Sequence, residues 1–272
     1  MSNGDARFGF GRNWQSFVDH AMDPRRVVSA TGSMRRLLPV DGLAGKAFLD
    51  IGYGSGLSSL AACELGAGRI VSFDYDPQSV EASLALRERA GIKGDRCMVT
   101  QGSILDPQFL RTLDPADIVY SWGVLHHTGA MWQAIDNAVS LVKPGGVLAI
   151  AIYNNVERRV GGSGMWWRVK RLYNRAPGWA QRLLEYGYAG SLVLRYLLSG
   201  RNPLTVIRSY DADGRGMDFW HDVRDWAGGF PYEYATAGEV FTYLHGKHGL
   251  ELVYLNTHDG HGCNEFTFRR PG

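Results

Sequence analysis

Asp50 and the three alternating glycines that follow it, Gly52, Gly54 and Gly56, are the residues whose type and spacing point most directly to chemistry. They come after an apolar run, Ala47-Phe48-Leu49, and before a helical pattern that begins at Leu57. A strand that turns on glycines into a helix brings backbone N–H groups close to a ligand, with no Cβ in the way. A carboxylate placed just before that turn suits a ligand carrying an ammonium group. The dinucleotide fingerprint G-x-G-x-x-G would need its third glycine at position 57. That position is Leu57.

Three other clusters carry titratable side chains. Val124-Leu125-His126-His127-Thr128 contains two imidazoles, which titrate near neutrality and could deprotonate a hydroxyl. His127 and His126 are therefore candidate general bases, His127 ahead, with packing as the competing role. In Phe219-Trp220-His221-Asp222-Val223-Arg224-Asp225-Trp226, the polar groups His221, Asp222 and Asp225 could orient an acceptor. The same charges could instead simply pair with one another on a helix end. His258, His261 and Cys263 lack an established zinc spacing, and Asp259-Gly260 is a natural hairpin turn, so no metal is expected. Asn264 and Glu265 are read as a pocket rim.

The elements that must position these groups alternate strand and helix. Strands are expected at 47–51, 69–74, near 97–101, 117–122 and 147–153, with helices at about 57–65, 77–90 and 130–142 between them. Lys143-Pro-Gly-Gly146 is read as a break before the fifth strand. Asp23-Pro24 reads as an N-cap with proline at the first helical position, starting a helix that ends before Pro39. Residues 1–12 are read as a loose start. A helix at 236–248, capped by Thr236, and strands at 250–257 and 263–269 close the chain. The βαβ alternation implies a parallel sheet covered on both faces. Ligands in such sheets bind beyond the carboxyl ends of the strands, here 52–56, 74–76, 102–104 and 121–127.

Taken in order, these segments resemble the class I S-adenosylmethionine (SAM)-dependent methyltransferases, and the glycine loop resembles their motif I. The resemblance covers about 46–153 well and the last ~35 residues loosely. It implies a Rossmann-like seven-stranded α/β sheet with SAM as cofactor. Asp50, Gly52, Gly54 and Gly56 would hold the methionine end, Asp74 the ribose hydroxyls, and Tyr75 the adenine face. Ser103 and Ile104 sit where the family reads the adenine edge, and Ser121 and Trp122 where it contacts the methionine part. The family often has Asp at the position of Ser103. Its turn before strand five is matched by Lys143-Pro-Gly-Gly146.

Composition bounds the rest. The chain has 272 residues, a formal net charge of +2, and apolar and charged fractions of 45% and 21%. That fits a globular protein with no global reason to bind nucleic acid. Three widely spaced cysteines fit reduced thiols in a cytoplasmic protein better than a disulfide framework. No signal peptide is read at the start, and no apolar run reaches the about 18 residues that span a bilayer.

The expected organisation is an N-terminal helical segment (1–45), a SAM-binding core (46–153), an inserted helical cap (154–228) and a C-terminal helix with β-hairpin (229–272). From Glu157 to Arg201 the cap holds nine Arg or Lys against two Glu, among many Trp and Tyr. It reads first as a lid over a small-molecule pocket, with Tyr153, Trp166, His221, Asp222, Asp225 and Asn264 toward the acceptor. A segment lying on a membrane is the second reading, supported by a general likeness to ubiquinone-biosynthesis methyltransferases. A surface for single-stranded RNA is the third. The expected function is O-methylation of a small molecule such as a sugar, phenol or secondary metabolite, by a monomer or homodimer. The alternatives are a lipid-linked or quinone-type acceptor, N- or C-methylation, and a non-catalytic SAM-fold partner protein.

Overall fold

Seven strands form one sheet: β1 (Ala47–Ile51), β2 (Arg69–Asp74), β3 (Cys97–Gln101), β4 (Ala116–Trp122), β5 (Val142–Tyr153), β6 (Glu251–Asn256) and β7 (Cys263–Arg269). The computed structural model describes residues 7–20, 23–38, 42–210 and 217–272. The strand order is β3-β2-β1-β4-β5-β7-β6. Strands β1 to β5 pair in parallel, and β7 runs antiparallel between β5 and β6. Central strands of a doubly covered sheet are apolar on both sides. Accordingly Phe48, Leu49 and Ile51 of β1 are each 1% exposed. Buried among them at the same 1% is Asp50, a carboxylate in a core strand.

The helices preceding β4 are α1 (Phe10–His20), α2 (Pro24–Leu37), α3 (Leu57–Glu64), α4 (Pro77–Arg89) and the short α5 (Pro107–Leu110). They are followed by α6 (Met131–Ser140), α7 (Ser163–Tyr173), α8 (Gly178–Leu198), α9 (Pro203–Arg208), α10 (Phe219–Gly228) and α11 (Ala237–His248). Four of them begin with an Asp or Asn cap followed by proline, at Asp23, Asp76, Asp106 and Asn202. The cap oxygen satisfies an otherwise orphaned N–H, and proline there gives up no bond. Thr236 and Glu239 make a reciprocal capping box that starts α11. One core packs β1, β4 and β5 residues such as Leu49, Val119 and Ile150 against Ile135 of α6 and Val240 of α11. The other packs Phe48, Ile70 and Ile118 against Met34 of α2 and Ala61 of α3.

Two expectations change. Lys143–Gly146 is not a break ahead of the fifth strand but lies inside a longer β5, where pairing with β4 jumps from Ala116↔Val142 to Ile118↔Val147. Pro144 has no N–H to offer a ladder and Gly145 takes φ +73°, so the segment bulges and pairing resumes beyond it. Of the segment 1–12 read as a loose start, residues 1–6 lie outside the described residues, and α1 already begins at Phe10. Its apolar residues Trp14, Phe17 and Val18 pack toward α3 and α4.

Candidate active site

The sheet order reverses between β1 and β4, and the loops leaving these two strands and β2 open onto one cavity of about 610 Å³. At one end stands the glycine turn. Gly52 has φ +70°, and a Cβ there would lie 2.3 Å from Val124 Cγ1. Gly54 has φ +55°, and a Cβ would lie 2.9 Å from the Trp14 indole. Only glycine fits either place, for backbone and for space.

Two carboxylates anchor this end. Asp50 Oδ2 accepts from both Ser58 Oγ and Ser59 Oγ at 2.6 Å. Burial pushes its pKa up to about 6, while the two serine hydrogen bonds oppose that rise. Asp74 accepts from Gly54 N at 3.2 Å and Asp76 N at 2.9 Å, and burial likewise lifts it to about 6. Both would ionise more readily beside a cation or a hydrogen-bonding diol. Asp76, which the sequence reading left out, caps α4 and also accepts from Gly11 N at 2.8 Å. That bond ties α1 across the cavity mouth. Arg7 lies over the Tyr75 ring, 4.9 Å from its centroid.

Aromatic and charged side chains build the other end. His127 Nδ1 lies 2.6 Å from the Pro231 carbonyl oxygen. A carbonyl only accepts, so Nδ1 carries the ring proton and Nε2 keeps its lone pair. Burial pushes the His127 pKa down to about 3, with the Pro231 bond opposing, so the ring is neutral at physiological pH. His126 is fully buried and held well below its ordinary value by that burial. Its Nδ1 accepts from Tyr153 N at 3.3 Å, and its ring packs on Tyr153 at 4.0 Å between centroids. Only His127 of the pair lines the cavity.

Behind Tyr153 lies a fully buried amine, that of Lys170. Its Nζ donates to the Trp226 carbonyl and sits 4.4, 4.9 and 5.7 Å from the ring centroids of Trp226, Tyr232 and Tyr153. Burial pushes its pKa down to about 7, against the pull of Asp225, Cys263 and Asp222. Glu233 accepts from Met131 N at the start of α6, and its own N–H donates to the His126 carbonyl. The 229–235 segment is thereby fastened to the histidine loop.

The sequence-predicted residues divide by place. Asp50, Gly52, Gly54, Asp74, Tyr75, Ser103, Ile104 and Trp122 line the cavity, as do His127, Tyr153, Asp222 and Asp225. Gly56 caps α3 outside that lining, where a Cβ would meet Ser83 Oγ at 2.5 Å. Ser121 is buried and donates to the Ile51 carbonyl. Ser103 Oγ accepts from Leu105 N, the turn contact an Asp could also make.

Trp166 packs on Tyr188 and Trp226 rather than on the cavity. His221 does not line it either. It bonds Asp218 at 2.9 Å and Ser16 of α1 at 3.2 Å, which makes it a fastener between helices. Asn264 is buried, bonds Asn154, and borders a separate smaller cleft. Among the described residues no three His, Cys, Asp or Glu side chains gather to hold a metal.

Phe10 and Trp14 were missed, because nothing in their sequence marks them except an aromatic spacing at the start of a helix. Glu265, read only as a rim, lines the cavity and accepts from Trp122 Nε1 at 2.8 Å.

Known proteins agree with this architecture. A family model described as a methyltransferase domain matches residues 49–148. Ribosomal protein L11 methyltransferases of Photobacterium profundum and Azotobacter vinelandii are 37% and 39% identical over 109 residues, 40% of this chain and 34% of theirs. The chain thus spans about a third of the length of the curated relatives it matches. Among solved structures, the methyltransferase in complex with the Haloferax volcanii Trm112 methyltransferase activator superposes with a TM-score of 0.56 at 14% identity, covering 98% of this chain and 99% of that one. An O-methyltransferase family protein from Burkholderia thailandensis gives 0.54 at 14% identity, covering 95% and 58%. At such identities the likeness speaks for the fold. Sheet order, glycine turn and family match agree: residues 49–148 form a class I SAM-dependent methyltransferase domain.

Proposed function

We propose that the chain transfers a methyl group from SAM to a hydroxyl of a small molecule seated against His127, Tyr153, Asp222 and Asp225. The observation that carries this reading is the single cavity that joins the glycine turn, Asp50 and Asp74 to His127, Tyr153, Asp222 and Asp225. The cofactor end fits SAM: bare glycine backbone where a Cβ would collide, and buried carboxylates that a ligand's ammonium and ribose hydroxyls would help to ionise. When bound, SAM supplies an electrophilic methyl on a sulfonium.

The chain's residues then have four tasks. Asp50 and the loop N–H groups hold the amino-acid end, and Asp74 accepts from the ribose hydroxyls. Tyr153 and Trp122 exclude water from the reacting end, while Asp222 and Asp225 orient the acceptor's polar groups. The lone pair of His127 Nε2 takes the hydroxyl proton as the oxygen becomes bonded to carbon. Burial keeps the His127 ring neutral, so its Nε2 lone pair is available to that proton. Alignment supplies most of the rate.

The names of the curated relatives raise a second reading, a protein acceptor such as ribosomal protein L11. One assay separates the two. Purified chain is incubated with SAM and a panel of sugars, phenols and L11, and S-adenosylhomocysteine release is followed. Turnover on hydroxylated small molecules supports the proposal. Turnover confined to L11 replaces it, and calorimetry showing no binding of SAM or S-adenosylhomocysteine removes both.

A further inference from the structure

Helix α8 carries an apolar stripe that faces solvent. Trp179, Leu183, Tyr186, Leu194 and Leu197 recur at spacings of three, four or twice four, so they share one side of the helix. They are 72, 66, 63, 56 and 57% exposed, and Leu198 beside them is 80% exposed. The opposite side is already used, since Ala189 and Leu192 are buried against Phe219 and Val223 of α10, and Glu185 is buried beside them. The stripe therefore does not belong to the core. Isolated exposed leucines need no explanation, but two groups of large apolar side chains on one helix face, Trp179–Tyr186 and Leu194–Leu198, mark an interaction surface.

Among the described residues of α7–α9 and their connections, the exposed charges are of one sign. Arg168, Arg175, Arg182, Arg195, Arg201 and Arg208 are exposed on α7–α9 and their connections, and the one carboxylate on these helices, Glu185, is buried under Arg224 and Tyr173. Two such faces brought together as a dimer would oppose arginine to arginine. Bases of RNA would gain stacking from Trp179 and Tyr186 but nothing from four leucines. Apolar side chains that immerse, tryptophan and tyrosine at the boundary, and arginines reaching outward match the surface of an anionic bilayer. No helix among the described residues is long and apolar enough to cross a membrane, so the contact is one of lying on it.

We propose that α8 docks the protein on anionic lipid bilayers through this stripe. Its inner face holds α10, whose Asp222 and Asp225 line the cavity, and Tyr188 stacks on Trp226 at 6.1 Å. The docking element is thus joined rigidly to the acceptor wall. This inference concerns where the enzyme works and stands independently of which acceptor it methylates.

The test is sedimentation with vesicles of phosphatidylcholine, alone or with phosphatidylglycerol, together with the tryptophan emission of the bound protein. Expected are binding to the anionic vesicles only, a salt-sensitive affinity, and a blue shift that is lost in Trp179→Phe. Leu194→Glu with Leu197→Glu should weaken binding about tenfold or more. Arg182→Glu should weaken it less. S-adenosylhomocysteine affinity should be unchanged in all variants, which shows them folded and separates this test from that of the methyl transfer. Equal binding to both vesicle types, or none, overturns the proposal. So does a wild-type dimer that the leucine changes convert to monomer, or binding to single-stranded RNA that the leucine changes leave intact.

Discussion

The two ends of the cavity are made by opposite means. The cofactor end is mostly backbone: glycine turns, N–H groups and two carboxylates, drawn from residues 50–56, 74–76 and 102–105 at the tips of neighbouring strands. The end proposed for the acceptor is mostly side chain, lined by His127, Tyr153, Asp222, Asp225 and Glu265 and supported from behind by Lys170 and the 229–235 segment. A backbone cradle changes little when surface residues change, whereas a side-chain wall can be rebuilt one position at a time. The contrast explains how one fold keeps its methyl donor while its acceptors differ.

The sharpest way to break this contrast is at His127. Replacing it by Gln should lower kcat by about 10²–10⁴ while the affinity for S-adenosylhomocysteine is unchanged. A smaller loss in rate would make His127 a wall like His126. Asp74→Ala should do the reverse and weaken cofactor binding by about a hundredfold or more, because two hydrogen bonds to a charged group are lost. Calorimetry reads this directly, and an unaltered isotherm would place the ribose elsewhere.

A subtler effect comes from pH. Burial raises Asp50 and Asp74 from 3.8 to about 6. What they contribute to stability in the ligand-free protein is therefore full below pH 3.8 and lost as the pH rises past about 6. For Asp50 this amounts to about 3 kcal/mol at most. Asp50→Asn should then raise the melting temperature of the ligand-free protein near pH 7.5 while weakening its hold on the cofactor about tenfold. Cofactor affinity of the parent should fall as the pH drops below about 6. A lower melting temperature for the variant would mean that the serine hydrogen bonds outweigh the burial. The smallest effect is expected at Ser103→Asp, which should tighten cofactor binding by about three- to tenfold while keeping the turn contact to Leu105.

The same contrast governs what the sequence made legible. Strands β1, β2 and β3 are found where expected because each holds an apolar run ended by Gly or Asp, and such signals are local. Caps at Asp23 and Thr236 were equally plain. The glycine turn too is found where its spacing put it, lining the cavity at the end of β1. Lys143-Pro-Gly-Gly146 misled for the same local reason, since turn residues inside a strand look like turn residues between elements. At the acceptor end no single segment holds the signal. Lys170 reads as one more basic residue of an Arg-rich helix, and only the fold encloses it in three aromatic rings. His221 reads as an active-site histidine, and only the packing of α1 on α10 makes it a fastener. Separations of 56 and 205 residues along the chain divide these partners, beyond the reach of periodicity.

One helix spans both ends. At its start α1 is held by Asp76, beside the cofactor carboxylate, and further along Asn13 and Ser16 bond His221 of α10, whose next turn carries Asp225. Cofactor and acceptor therefore draw on the order of the same element. A ligand that settles α1 at one end leaves less disorder to be removed at the other, and linkage requires the benefit to be mutual. Affinities measured one ligand at a time will then understate those of the working complex, and the first ligand to arrive acts as a primer for the second.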